Sequence, residues 1–162
     1  MAYTTSVLPD GTHITIRTAT PTDLPEWLRM HCRLWPDTVE AHEAELHAYF
    51  QRQDQNFTTI VAEAASRGLV GFIEVSIRAY AESCDSPNVG YLEGWYVEAE
   101  YRRRGIGRHL VQAAEQWARS RGSQEMASDC GLHNDTSWVA HLRLGYQETL
   151  RLIHFKKSLS AG

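Results

Sequence analysis

A β-rich run, Tyr91 to Val97, passes through a short arginine-rich turn straight into an amphipathic segment, Gly105 to Arg121. Ile106, Leu110, Val111, Ala114, Trp117 and Ala118 share one helical stripe of that segment, and Gly122 supplies the residue that ends it. A strand feeding a helix in this way makes an anion site: the helix's first N–H groups have no internal acceptors, and its dipole favours negative charge there. Gly105 and Gly107 allow a ligand to approach the backbone closely, and Arg102, Arg103 and Arg104 add positive charge. The plainer reading of the same residues is a solvated basic turn with two tight-turn glycines.

The flanking sequence alternates strand and helix signals. His13–Arg17 alternates as a first strand, and Asp23 with Glu26 offers a capping box for a helix carrying Leu24, Trp27, Leu28 and Leu34. That helix should stop at Trp35-Pro36, because the residue before proline is pushed out of the helical region. Asp37 and Glu40 signal a second helix to about Gln51. Phe57–Glu63 and Leu69–Arg78 read as a hairpin around Ala65–Gly68, and Tyr91–Val97 as a further strand. After the long helix come a short strand Glu125–Asp129, a helix Asn134–Leu144 closed by Gly145, and a last strand Tyr146–Lys156. The order gives an α/β (α+β) fold around a mixed central sheet, in one domain spanning residues 1–162.

Composition narrows the function. The 162 residues carry 16 basic and 20 acidic side chains, a formal charge of −4, which excludes a nucleic-acid binder that relies on a general positive field and suits a cationic or neutral ligand. A chain of this length buries roughly two thirds of its unfolded surface and needs no staples. Cys32, Cys84 and Cys130 lie far apart with no C-x-x-C pair, so they read as free thiols of a reducing compartment. No leader-like start or apolar run of membrane length is present, so the expected location is cytoplasmic, with no membrane partner. Eight histidines are scattered without zinc-binding spacing, and no metal site is expected.

The turn reads R-R-R-G-I-G after a strand ending in Val97, and R-x-x-G-x-G in that position resembles the acyl-CoA pyrophosphate loop of the GNAT superfamily of N-acyltransferases. It is neither a P-loop nor a Rossmann fingerprint, whose spacings differ. Leu34–Asp37, Ser76–Arg78, Tyr91–Val97, Glu125–Asp129 and Phe155–Lys157 in that order are similar to bacterial aminoglycoside 6′-N-acetyltransferases. The resemblance implies a splayed parallel strand pair that admits acetyl-CoA, helices on both faces of the sheet, and a homodimer. It implies transfer of acetyl to an aminoglycoside amine. It places the cofactor against Trp95, Tyr96, Val97, Arg102, Arg103, Arg104, Gly105, Ile106, Gly107, Arg108 and Asn134.

For the acceptor, the resemblance points to Trp35, Glu93 and Asp129. Residues 71–100 independently favour a polycation, with six carboxylates against the single base Arg78. Alternation along the strand puts Tyr91, Glu93, Trp95 and Val97 on one face, so Glu93 is an acid among bulky groups. Glu98 and Glu100 read instead as solvated acids beside the arginines. Asp129 is also readable as a loop cap, Trp35 as a core residue, and Glu148, a further acidic candidate, as a solvent-facing strand residue. Direct attack by the amine requires a base, donors for the thioester oxygen and a proton for the thiolate. Glu93, or water it holds, is the expected base, and backbone N–H groups around Tyr96 and Val97 the donors. His141 stands where many GNAT enzymes have a tyrosine acid; a packing or CoA-contact role competes. Cys130 reads as a buried inert thiol. Competing functions are acetylation of another small amine or a protein amine, and a non-enzymatic CoA sensor or aminoglycoside-sequestering binder.

Overall fold

A computed structural model describes residues 2–52, 54–65 and 67–159. The chain forms two compact units, residues 1–129 and 130–162. In the first, the described strands are β1 (Ala2–Val7), β2 (His13–Thr18), β3 (Phe57–Ala64), β4 (Gly68–Arg78), β5 (Val89–Val97) and β6 (Met126–Ser128). They form one sheet in the order β1-β2-β3-β4-β5-β6, antiparallel except for the parallel β5–β6 pair. Three helices accompany it: α1 (Leu24–Leu34), α2 (Val39–Arg52) and α3 (Ile106–Ser120).

The sheet is covered on both sides. Trp27, Met30, Leu46, Val61, Leu69 and Phe72 form the core beneath α1 and α2, with Trp27 edge-on to Tyr49 and Phe50. On the opposite face α3 buries Ile106, Leu110, Val111, Ala114, Trp117 and Ala118, the stripe read from its sequence. Burying each large side chain is worth about 1.5–3 kcal/mol, so these two layers hold the sheet. Among the described residues, no helix is long and apolar enough to cross a membrane.

Several local signals act as expected. Trp35 is extended (φ −120°, ψ 133°) and ends α1 before Pro36, and Gly122 ends α3 at φ +86°. Ser66, within the expected hairpin turn, lies outside the described residues. The three cysteines are free, but Cys130 is half-buried rather than buried.

Other signals are overturned. The capping box is formed by Thr20 and Asp23, not Asp23 and Glu26; Asp23 also takes two hydrogen bonds from Arg17, and Glu26 accepts the Leu69 N–H at 2.8 Å. An unforeseen strand, β1, pairs with β2 through the turn at Gly11. Glu98 is not a solvated acid. It is 5% exposed and receives hydrogen bonds from Arg29, Arg33 and the Tyr96 hydroxyl.

The second unit holds α4 (Asp135–Arg143). The Asn134 side chain caps it by accepting the Ser137 N–H at 3.1 Å, and Gly145 follows it at φ +94°. The expected strand Tyr146–Lys156 does not form among the described residues, and Ile153 and Phe155 are exposed. Alternation alone does not make a strand without a ladder partner.

Candidate active site

The sheet is irregular at one point on β5. Glu74 pairs with Gly94 and Val75 with Leu92, so Glu93 is the extra residue of a β-bulge. The bulge reverses the alternation. A Cβ on Gly90 would meet Ala118 on the α3 side, whereas a Cβ on Gly94 would lie 2.2 Å from Trp35 and 3.4 Å from Leu34 on the α1 side. Trp95 accordingly turns to the α3 side, where its indole lies 2.7 Å from where a Gly107 Cβ would stand. Tyr96 turns to the α1 side and stacks on Phe72. The expectation that Tyr91, Glu93, Trp95 and Val97 share a face therefore fails beyond Glu93.

The same point is where the parallel strands part. β6 pairs with β5 only through Gly90↔Met126, Tyr91↔Ala127 and Leu92↔Ser128, after which Glu93–Val97 keep β4 alone as strand neighbour. Among the described residues, no strand lies beside that edge of β5 from the bulge onward.

At the bulge, β4 supplies partners that the sequence reading did not single out. Period-two alternation puts Glu74, Ser76 and Arg78 on the α1 face. The Ser76 hydroxyl donates to Glu93, and Arg78 clasps the same carboxylate through Nε at 3.0 Å and Nη2 at 2.5 Å. The guanidinium also lies 3.4 Å over the Tyr91 ring, whose hydroxyl donates to Asp129 at 2.6 Å. Glu93 and Asp129 therefore belong to one chain of contacts, Glu93–Arg78–Tyr91–Asp129. Burial first, then the hydrogen bond to Asp129, push the Tyr91 phenol upward. Burial works against the Arg78 charge, and the hydrogen bonds and charge of Glu93 outweigh it. Glu93 is half-buried and Asp129 exposed, so a solvent-borne ligand can reach both.

Trp35 adjoins this chain. Its indole rests on Gly94, next to Glu93, and its ring centre is 4.3 Å from that of His31. Packed against the core cluster yet half-buried, it serves the core and still borders the acids.

At the far end of β5, the glycine turn opens α3 as the sequence predicts. Gly105 has φ +89° and caps the helix without a side-chain hydrogen bond, so glycine is needed for its conformation. Ile106 is buried as the helix's first core residue, and Gly107 sits under Trp95. The basic side chains divide: Arg102 Nε binds the Val97 carbonyl at 2.8 Å, Arg104 pairs with Asp10 at 2.6 Å, and Arg103 and Arg108 are exposed. Arg102 and Arg104 thus shape the turn as well as charging it.

Three expected residues lie in the second unit. Asn134 is the α4 cap described above. His141 Nδ1 donates to the Ser137 carbonyl at 2.8 Å. Glu148 is exposed and accepts from Trp138 Nε1 at 2.9 Å and Arg151 at 2.6 Å. The Arg151 and Trp138 hydrogen bonds hold its carboxyl below the usual range.

A strand that opens at a bulge, followed by a glycine turn starting a helix, is matched by a family model. The acetyltransferase (GNAT) family model covers residues 24–146. The chain belongs to this family.

As a GNAT protein it has close relatives among characterised proteins. It is 44% identical over 146 residues to an aminoglycoside N(6′)-acetyltransferase type 1 of Klebsiella aerogenes, covering 89% of this chain and 96% of the relative. The protein of that name from Acinetobacter genomosp. 13 is 39% identical, with 84% and 92% covered. Among solved structures, AAC(6′)-Iy in complex with the bisubstrate analogue CoA-S-monomethyl-acetylneamine aligns with a TM-score of 0.83 at 34% identity, covering 90% of this chain and 99% of that one. The 6′-N-acetyltransferase AAC(6′)-Ih of Acinetobacter baumannii aligns at a TM-score of 0.85 and 34% identity, with 91% and 99% covered.

Proposed function

We propose that this GNAT chain moves the acetyl group of acetyl-CoA to the 6′-amine of an aminoglycoside, by direct attack in a ternary complex. The observation that carries the proposal is the pair of reachable carboxylates, Glu93 and Asp129, tied together through Arg78 and Tyr91 at the point where β5 and β6 part. Several relatives named for this reaction support it. An aminoglycoside carries several ammonium groups, which carboxylates hold by charge-assisted hydrogen bonds.

The cofactor's pyrophosphate is assigned to the backbone at the α3 N-terminus, Arg104–Arg108, with Arg103 and Arg108 supplying further charge. Beyond its pairing with β6, β5 offers backbone donors around Tyr96 and Val97 to the thioester oxygen as charge develops there. The attacking amine must lose a proton, and Glu93, or a water it holds, takes it. Arg78 keeps Glu93 oriented and shares its charge, so the ammonium enters an existing ion pair rather than a lone carboxylate. His141 is assigned the proton for the departing thiolate, and Asn134, Trp35 and Glu148 their cofactor and acceptor contacts, on the family resemblance. Chemistry of this kind needs no acyl-cysteine, and Cys130 is given no part. We read residues 1–162 as one acetyltransferase domain, acting in the cytoplasm as a homodimer and protecting its host from the antibiotic.

Glu93→Gln and Asp129→Asn test the assignment while keeping shape. Each charge-assisted contact is worth roughly 1.5–3 kcal/mol, so each variant should lower kcat/KM for kanamycin about ten- to a hundredfold. Affinity for acetyl-CoA should stay within about twofold of native. Native kcat/KM in both variants would move the acceptor pocket elsewhere.

A further inference from the structure

Sequence spacing offers no metal site, but the fold brings together two buried histidines from different helices. His31 of α1 and His42 of α2 are each 3% exposed, and their Nδ1 atoms lie 2.8 Å apart. Of the other two ring nitrogens, one is held by an acceptor and one stands farther from a carboxyl group. His42 Nε2 lies 3.1 Å from the Trp35 carbonyl oxygen, and His31 Nε2 lies 3.5 Å from a carboxylate oxygen of Glu74. A carbonyl can only accept, so His42 carries its hydrogen on Nε2, and the neutral ring turns a lone pair inward from Nδ1. Burial pushes the Glu74 carboxyl up to about 8, so it does not fix a hydrogen on His31 Nε2. His31 Nδ1–H then donates to His42 Nδ1, and a cation can take that hydrogen's place between the two nitrogens. A carbonyl behind an imidazole, as behind His42, also orients histidines that bind metals.

A third ligand stands beside them. Glu45 follows His42 by three residues, on the same face of α2. His31, His42 and Glu45 each offer a ligand atom, and the three atoms lie within 4.8 Å of one another. Glu45 is exposed, and among the described residues no cation pairs with it, so the cluster is open to solvent at its carboxylate. Hydrogen bonds alone can close the cluster in another way: a protonated Glu74 donates to His31 Nε2, and His31 Nδ1–H donates to His42. That arrangement gives Glu45 no part.

We propose that His31, His42 and Glu45 bind a divalent cation of the zinc class, with water as a fourth ligand, joining α1 to α2 beneath the Trp35 loop. Two imidazoles and one carboxylate are a ligand set that zinc accepts in tetrahedral geometry. Zinc–nitrogen bonds of about 2.0–2.1 Å require the two Nδ1 atoms to part by about half an ångström, a small adjustment between two helices. Because His42 also holds the Trp35 carbonyl, the bound cation would stiffen the loop that carries this pocket residue.

The full-length chain, stripped with a chelator and titrated with zinc in a non-chelating buffer, tests the proposal by calorimetry. Cobalt replacement adds the visible absorption of a tetrahedral site. One zinc per chain is expected, with a zinc-dependent rise in Tm. Glu45→Gln, an exposed change that leaves the buried histidines in place, should keep the zinc-free Tm and weaken zinc binding at least tenfold. His42→Gln should abolish the cobalt absorption. Absence of stoichiometric zinc uptake by the native chain, or native affinity in Glu45→Gln, would overturn the site and leave a hydrogen-bonded histidine pair only.

Discussion

Two glycines of the proposed site each lie under a tryptophan, on opposite faces of the sheet. Gly94 lies under Trp35 on the α1 face, and Gly107 lies under Trp95 on the α3 face. A methyl at either position meets the ring at 2.2 Å and 2.7 Å respectively, so the indole must move. Gly94→Ala should raise KM for the aminoglycoside about tenfold or more with acetyl-CoA affinity unchanged, whereas Gly107→Ala should do the reverse. Steady-state kinetics with each substrate varied in turn reads both.

Glu98 sets a pH dependence at the same scale. Burial opposes its ionisation, but hydrogen bonds from Arg29 and Tyr96 and the charges of Arg29 and Arg33 outweigh that and hold its carboxyl below the ordinary value. A carboxyl depressed in the folded state stabilises the fold above its unfolded pKa, and that contribution is lost as pH falls through the folded value. Denaturant titrations between pH 6 and pH 3 should show native stability falling more steeply than that of Glu98→Gln. Above pH 6 the variant should be weaker by about 1–3 kcal/mol, since it leaves Arg29 and Arg33 without their acid. Parallel pH profiles would remove Glu98 from this role.

Elements were legible in the sequence where their ends are set by local chemistry. Trp35-Pro36 stops α1 and Gly122 stops α3 because a proline ring and a left-handed residue act on their own neighbours. Elements defined by distant pairing were less so. The pairing of β1, and the absence of a strand over 146–156 among the described residues, depend on which backbone lies alongside, which alternation does not encode. The bulge at Glu93 is the instructive case. It leaves Tyr91 and Glu93 facing α1 but sends Trp95 to the α3 side, a change of register invisible in Tyr91–Val97 itself. Glu93 and Asp129 were readable as candidates, while Arg78 and Tyr91, which join them, required the neighbouring strand. For α3, the left-handed Gly105 makes the prediction sharp. Its Cβ would meet nothing within 4 Å, so Gly105→Val acts through backbone strain and through the space a pyrophosphate needs. Gly105→Asn tolerates the left-handed conformation. The valine variant should lose acetyl-CoA affinity by calorimetry with its circular dichroism kept, and the asparagine variant should retain more of it. Native affinity in both would remove the turn from the cofactor site.

Across the whole molecule, the proposal joins a cofactor turn at one end of β5 to an acidic acceptor pocket at its bulge. The net charge of −4 gives a polycation a mild general attraction, but Glu93 and Asp129 supply the local part. Everything rests on whether an aminoglycoside amine takes the acetyl group. Thiol release from acetyl-CoA, followed with the native chain on adding kanamycin, tobramycin, a polyamine or a free amino acid, measures this directly. The account predicts release of one CoA thiol per 6′-acetylated aminoglycoside, with the polyamine and the amino acid near background. Faster release with another amine, or aminoglycoside binding without thiol release, would contradict it.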